Sequence, residues 1–325
     1  MSALLGCEVL YKMIITVTLN PSIDRTISMP KLKIGSVNRV ELTSVDPGGK
    51  GVNVSRALDA FGVKTYAILV CGELGAHWFD RKLDEHHIPH AIIDAEGITR
   101  NNITIVEADG SVTKLNEPGI TLTKEIISSV KESLDAIEIE GNWVVFAGKL
   151  NPGAHVDTYR ELAQFARERG AKIAIDGSGP EFKSALEIKP DLIKPNQYEL
   201  AELVGRSLNN IHEVIAACRE VIDRGVGQVL CSLGVDGAIL VTKDEVIHCE
   251  PETAASGTPV GAGDILLAIY LGGGAVPHAL KNAIAWSAAS VPLAGTAIPT
   301  KAQAAAVGVR ENKEINDQRK LLEVH

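Results

Sequence analysis

The sequence predicts an α/β domain with a mainly parallel sheet, helices on both of its faces, and a small second sheet projecting from it. Three observations predict this. Short apolar runs rich in β-branched residues alternate with longer segments of helical period, glycine turns join strand ends to helix starts, and two strand-like segments break the alternation. At 325 residues and 45% hydrophobic content, the chain can bury a sizeable core.

The elements follow in order. Ile14 to Leu19 reads as a buried strand, Val52 to Phe61 as a helix, Thr65 to Val70 as a strand and Ala76 to His86 as a helix. Lys124 to Ala136, Val156 to Arg169, Gln197 to Val204 and Ile211 to Asp223 read as helices. Between them lie the strands Trp143 to Ala147, Lys172 to Ile175, Leu192 to Lys194 and Gln228 to Ser232. The interrupting segments are Arg25 to Val45 and Ile98 to Asn116. In the second, Asp109-Gly110 marks a hairpin turn between Ile103 to Glu107 and Val112 to Leu115, so a small antiparallel sheet is expected. After Thr300 an Ala-rich stretch leads into Arg310 to Glu314, expected as a solvated terminal helix or a frayed tail.

Charge and cysteines exclude several classes. The formal net charge of -9 opposes general binding to nucleic acid or an anionic membrane, so an anionic substrate must meet a local basic cluster. Five cysteines without C-x-x-C or His spacing suggest neither a zinc site nor a disulfide framework. No apolar run reaches transmembrane length and the first twelve residues lack signal-peptide features, which makes the cytoplasm the expected location.

Several clusters can carry chemistry. Gly257 to Asp264 is a glycine turn that runs into the apolar stretch Ile265 to Leu271. A helix N-terminus there favours anions, and Asp264 could take a proton from a hydroxyl; it reads equally as a residue of an ordinary helix start. Pro47 to Arg56 is a second glycine turn, without Walker A spacing, that places Lys50 and Asn53 where an oxygen-rich ligand could bind. Asp24, just past the first strand, suits sugar hydroxyls or an Asx turn.

In Lys194 to Glu199, Asn196 and Glu199 form either a capping box or, through Glu199 and water, a Mg²⁺ site. Ser232 to Ala238 reads as a hairpin or as the border of a nucleotide. Arg39, Lys50, Arg100 and Lys149 are the basic residues nearest strand ends and hairpin mouths, where together they could neutralise a phosphomonoester.

Taken in order, Thr18 to Asp24, Pro47 to Arg56, Thr99 to Asn102, Leu192 to Glu199, Ser232 to Gly234 and Val260 to Asp264 resemble the motifs of the phosphofructokinase B family of ribokinase-like sugar kinases. The chain is most similar to the branch containing 1-phosphofructokinase and tagatose-6-phosphate kinase. The resemblance implies one ribokinase-like three-layer α/β/α domain over residues 13–325, preceded by an extension at 1–12. It also implies a central sheet of roughly nine strands and a β-sheet lid formed by segments 25–45 and 98–116, through which a homodimer would form.

The resemblance further implies ATP and Mg²⁺ as cofactors and a ketohexose phosphate as substrate. Fructose 1-phosphate leads; tagatose 6-phosphate and fructose 6-phosphate are the near alternatives, and an unphosphorylated sugar or a non-catalytic regulator the distant ones. By the same resemblance Asp264 is the general base and Gly261, Ala262 and Gly263 stabilise the transferred charge. Asp24, Gly49 and Asn53 hold sugar hydroxyls, while Arg100, Arg39 and Lys50 hold the sugar's phosphate. Lys194, Asn196, Ser232, Gly234 and Gly237 line the ATP site with Asn282 at its adenine end, and Glu199 organises Mg²⁺. Two positions depart from the family pattern. Lys149 stands where a small hydroxyl residue is usual near the substrate, and Ile265 where a small residue usually follows the Asp.

Overall fold

Period-two burial divides the strand side chains between two cores. Ile15, Val17, Val144, Phe146, Ile173 and Ile175 enter one, while their neighbours Ile14, Trp143, Val145 and Ala174 enter the other. A computed structural model describes residues 13–257, 260–312, 315 and 318–321. The expected extension at 1–12 lies outside the described residues, as do Thr258 and Pro259 of the glycine turn at Gly257 to Asp264.

In chain order the elements are β1 (Ile14–Thr18), β2 (Ser22–Met29), β3 (Glu41–Gly48), α1 (Lys50–Phe61), β4 (Thr65–Gly72), α2 (Glu73–Glu85), β5 (His90–Ala95), β6 (Arg100–Glu107), β7 (Val112–Asn116) and α3 (Lys124–Asp135). They continue with β8 (Trp143–Ala147), α4 (Thr158–Arg167), β9 (Lys172–Asp176), α5 (Gly179–Ala185), β10 (Leu192–Ile193), α6 (Gln197–Val204), α7 (Ile211–Asp223), β11 (Val229–Ser232) and β12 (Ala238–Val241). The last are β13 (Val246–Pro251), α8 (Ala262–Gly272), α9 (Ala279–Ser290), α10 (Lys301–Ala305) and β14 (Val309–Glu311).

The main sheet has the order β14-β13-β12-β11-β10-β9-β8-β1-β4-β5. From β5 to β11 neighbours run parallel, and β12, β13 and β14 extend the edge antiparallel. Residues of α3, α4, α6 and α7 pack in one core, and those of α1, α8 and α9 in the other. The result is a three-layer α/β/α domain.

The second sheet has the order β3-β2-β6-β7. It is mixed rather than antiparallel: β2 and β6 are parallel because α1, β4, α2 and β5 intervene between them in the chain. The hairpin at Asp109-Gly110 joins β6 to β7 as expected.

The C-terminal segment departs from expectation. Val309–Glu311 is an edge strand on β13, not a helix or a frayed tail, because Val309 is buried in the core and Glu250 of β13 bonds both Arg310 and Arg319. Burial alone would raise the Glu250 carboxyl, but the two guanidinium groups hold it at about 2 against an ordinary 4.5. A depressed carboxylate stabilises the fold above its ordinary pKa and ceases to as the pH falls from 4.5 toward about 2. Glu250→Gln is therefore expected to lower the melting temperature at pH 7, with the gap to wild type closing in that acid window. Calorimetry at pH 7 and pH 3 checks this, and equal melting at pH 7 would refute it.

Candidate active site

A cavity of about 730 Å³ opens beyond the carboxyl ends of β1, β9, β10 and β11, where parallel α/β sheets place their ligands. Three helix N-termini face it, those of α1, α6 and α8, and the second sheet forms its other wall.

Gly261 starts α8 in a left-handed conformation, which a residue with a Cβ adopts only at a cost, and Asp264 lies in the first turn. Only 6% of Asp264 is exposed, and its Oδ2 accepts a 2.8 Å hydrogen bond from Asn53 Nδ2. Asn53 is itself oriented. Buried Arg56 donates to its Oδ1 at 3.4 Å, to the Pro47 carbonyl at 3.3 Å and to Thr296 Oγ1 at 3.1 Å, which turns the amide nitrogen toward Asp264. Burial, reinforced by the nearby Asp176 carboxylate, raises Asp264 to about 6, against the pull of Lys50, Asn53 and Lys194. A buried carboxyl poised near neutrality can exchange a proton with a bound hydroxyl.

Asp176, absent from the sequence reading, is the buried centre of the site. Lys50 Nζ lies 2.7 Å from one of its oxygens and Lys194 Nζ 3.1 Å from the other. Burial would raise its carboxyl, but the two ammonium groups bring it below the ordinary value. Lys50, although burial opposes its charge, is raised by Asp176, Asp264 and Glu199. It therefore lies on the cavity floor with protein carboxylates around it.

Asn196 and Glu199 form the capping box: Asn196 Oδ1 accepts from Glu199 N and Glu199 Oε2 from Asn196 N, each at 2.8 Å. Oε1 of Glu199 is 3.9 Å from Lys50 Nζ, so the capping residue also faces the cavity. Ser232, Gly234 and Gly237 border the same cavity, the last two flanking a tight turn between β11 and β12.

Across the cavity, Gly48 and Gly49 bring the backbone over β1 and β2. A Cβ on Gly48 would lie 2.2 Å from the Asp24 carboxyl, and Gly49 has φ 111°. Asp24 accepts from Ser22 Oγ at 2.6 Å and from Asn102 Nδ2 at 3.1 Å, and burial raises its carboxyl despite those bonds and Arg100. Arg100 also lines the cavity, donating to the carbonyls of Asn20 at 3.0 Å and Glu117 at 3.4 Å.

Three sequence expectations need correction, and the fourth position concerned, Ile265, is resolved as a packing residue. Arg39 is exposed in the loop between β2 and β3, outside the cavity, because that hairpin leaves the site at Ser22 and Gly48 and turns at its far end. Lys149 is exposed and does not line the cavity, so this departure does not crowd it. Asn282 is exposed, since α9 presents Ile284, Ser287 and Ala288 to the cavity and a residue two positions before Ile284 points about 160° away. Ile265 is 1% exposed and packs with Leu266 to Leu271 in the core, not toward a ligand.

Asp176, Ser22, Asn102, Arg56 and Lys114 were missed. The usable signal for Asp176 was a carboxylate at a strand end before Gly177, the same pattern that singles out Asp24.

Known proteins are similar along most of this length. Residues 17–303 match the family model described as pfkB family carbohydrate kinase. A 1-phosphofructokinase of Rhodobacter capsulatus is 38% identical over 78% of this chain and 81% of its own. A tagatose-6-phosphate kinase of Staphylococcus epidermidis is 32% identical over 79% and 83%. The crystal structure of phosphofructokinase-2 from Escherichia coli in complex with potassium superposes with a TM-score of 0.85 at 30% identity, over 90% of this chain and 97% of that one. The three-layer sheet and its glycine-turn cleft are thus those of a sugar kinase. The chain belongs to the pfkB family of carbohydrate kinases. Membership implies ATP as the phosphoryl donor. No helix among the described residues is long and apolar enough to cross a membrane.

Proposed function

We propose that the protein transfers the γ-phosphoryl group of ATP to the 6-hydroxyl of fructose 1-phosphate, giving fructose 1,6-bisphosphate. The observation that carries this reading is the buried Asp264–Asn53 pair at the glycine-rich start of α8, opposite the Asp24 wall, in a chain 38% identical to a 1-phosphofructokinase. Asp264 accepts the hydroxyl proton as the sugar oxygen bonds to the γ-phosphorus. The bond from that phosphorus to the bridging oxygen breaks, and ADP leaves.

The N–H groups of Gly261, Ala262 and Gly263 face the charge on the transferred group. Asp24, Gly49 and Asn53 orient the sugar, and Lys194, Asn196, Ser232, Gly234 and Gly237 seat the nucleotide. Among the described residues no three His, Cys, Asp or Glu side chains gather as a metal site. The Glu199 oxygen outside the capping box, 3.9 Å from Lys50 Nζ, fits Mg²⁺ that keeps its waters and arrives on ATP. Glu199 would hold the ion there through its waters, and the ion would supply neutralisation of the phosphate charge.

Leu42 and Leu115, 50% and 53% exposed, lie on the face of the small sheet opposite Asp24 and Asn102, and that face is where a second copy would bind in a homodimer. The reading as a tagatose 6-phosphate kinase is favoured by the 32% identical relative.

An assay of ADP release against fructose 1-phosphate, tagatose 6-phosphate, fructose 6-phosphate and free fructose tests the function. The highest kcat/KM is expected with fructose 1-phosphate. Preference for tagatose 6-phosphate selects the second reading, and turnover of free sugar alone overturns both.

A further inference from the structure

Outside the cavity, a group of charged side chains braces one of its walls from behind. The turn between β11 and β12 lines the cavity with Leu233, Gly234, Val235 and Gly237, while Asp236 of the same turn does not line it and is fully buried. A buried carboxylate needs charged or hydrogen-bonding partners. Arg319 Nη2 donates to Asp236 Oδ1, and Arg319 Nη1 donates to Glu250 Oε2 at 2.6 Å. One guanidinium fork thus joins the turn to the end of β13, next to Pro251 on the cavity wall.

Further contacts fix this arrangement. Nδ1 of His248 on β13 accepts from the Asn312 amide at 2.9 Å, so its Nε2–H donates to the Asp236 carbonyl at 2.8 Å. Gly237 leaves no slack, since a Cβ there would lie 2.0 Å from the Cys249 carbonyl oxygen. Arg319 is itself held against the start of α7: its carbonyl accepts from Ile211 N at 3.2 Å, and Leu321 N donates to the Asn209 carbonyl at 3.1 Å.

Arg310, Asn312 and Arg319 lie beyond residues 17–303, which match the family. None of them lines the cavity. Whatever they contribute to the reaction passes through the turn.

We propose that Arg319 is a positioning residue for ATP, holding the Leu233 to Gly237 turn in its binding geometry through Asp236. The proposal rests on the reading that Ser232, Gly234 and Gly237 seat the nucleotide. It gives Arg319 a part in nucleotide affinity and none in recognition of the sugar, since Asp24 and Arg100 lie across the cavity.

The test compares Arg319→Met and Asp236→Asn with Arg310→Met, which removes a partner of Glu250 but leaves the Arg319–Asp236 pair. Melting temperatures are followed throughout, so that lost stability and lost affinity are read separately. Arg319→Met and Asp236→Asn are expected to raise the KM for ATP, and the Kd for ATP by titration calorimetry without sugar, about 5- to 20-fold, the size of a modest coupling between two sites. Their KM for fructose 1-phosphate should stay within about twofold, and Arg310→Met should leave both substrates' constants within about twofold. The double variant Arg319→Met with Asp236→Asn should shift the ATP constants no further than the larger single change. If Arg319→Met does not fold, Asp236→Asn carries the same comparison.

An ATP Kd within about twofold of wild type in both variants, beside a clear shift in Val235→Glu on the cavity side of the same turn, would overturn the inference and leave the nucleotide seat standing. A Kd unmoved in Val235→Glu as well would overturn the seat, and the inference with it. An equal shift in Arg310→Met would show a general loosening of the sheet edge and also overturn the inference. None of these outcomes depends on which sugar phosphate is the substrate, because the ATP titration contains none.

Discussion

Asp264→Asn is expected to lower turnover about 10²- to 10⁴-fold while the KM for ATP stays within about threefold, the signature of a lost proton acceptor rather than a lost binding contact. The amide keeps the shape of the side chain but cannot take the proton, and it turns the Asn53 contact into an amide–amide pair. In the wild type, a carboxyl at about 6 predicts a rate that falls as the pH drops below 6, as the base becomes protonated. The residual rate of the variant should lack that limb. A second readout has the opposite sign for function and stability. The folded-state value lies above the ordinary 3.8, so the folded protein binds this proton more tightly; the resulting stabilisation is full below 3.8 and is lost as the pH rises through about 6. Above that range the wild type carries a buried charge that Asp264→Asn lacks. The variant should therefore melt higher than wild type at pH 8, and less so at pH 4. Near-normal turnover would remove Asp264 as the base, and a lower melting temperature at pH 8 would remove the burial argument.

What the sequence made legible followed from local signals. α6 and α7 lie at the expected bounds because Asn196 and Asn210 each accept from the backbone of a Glu three residues on, a cap readable from a few residues. The glycine turns before Lys50 and Asp264 were equally local. The less legible parts depend on partners distant in the chain. Val309–Glu311 is too short to show a period and is a strand only because β13 offers an edge, while the parallel pairing of β2 with β6 depends on the elements that separate them. Asn282 shows the limit of a helix without a clear apolar stripe. In an Ala-rich segment such as α9 the face toward a ligand is fixed by packing, not by pattern. Basic residues were the least legible. Arg39 and Lys114 look alike in sequence, and only the hairpin geometry sends one to solvent and the other to the cavity.

Asp176→Asn is expected to destabilise the fold by about 3–5 kcal/mol, the cost of leaving a buried charge without its partner. Here two ammonium groups would be affected: that of Lys194, with a side chain 4% exposed, and that of Lys50, which would retain Glu199 at 3.9 Å. Function should suffer by the same route. Lys194 Nζ packs against the first turn of α8, 3.2 Å from where a Cβ on Gly263 would stand, so losing its anchor should raise the KM for ATP as well as lower kcat. Urea unfolding and steady-state kinetics measure both. Because Asp176 lies below its ordinary value, its stabilisation is present above 3.8 and is lost as the pH falls through the lower folded value, so the gap between variant and wild type should be full at pH 7 and narrow in acid. That slope is opposite to the one expected at Asp264, although the Asp264 carboxyl feels the Asp176 charge directly. A double variant, Asp176→Asn with Lys194→Met, separates pairing from packing: it should lose less stability than the two single changes summed, since the second removes the charge the first strands. Strict additivity would show that Asp176 supports the fold through its packing and not through the lysines.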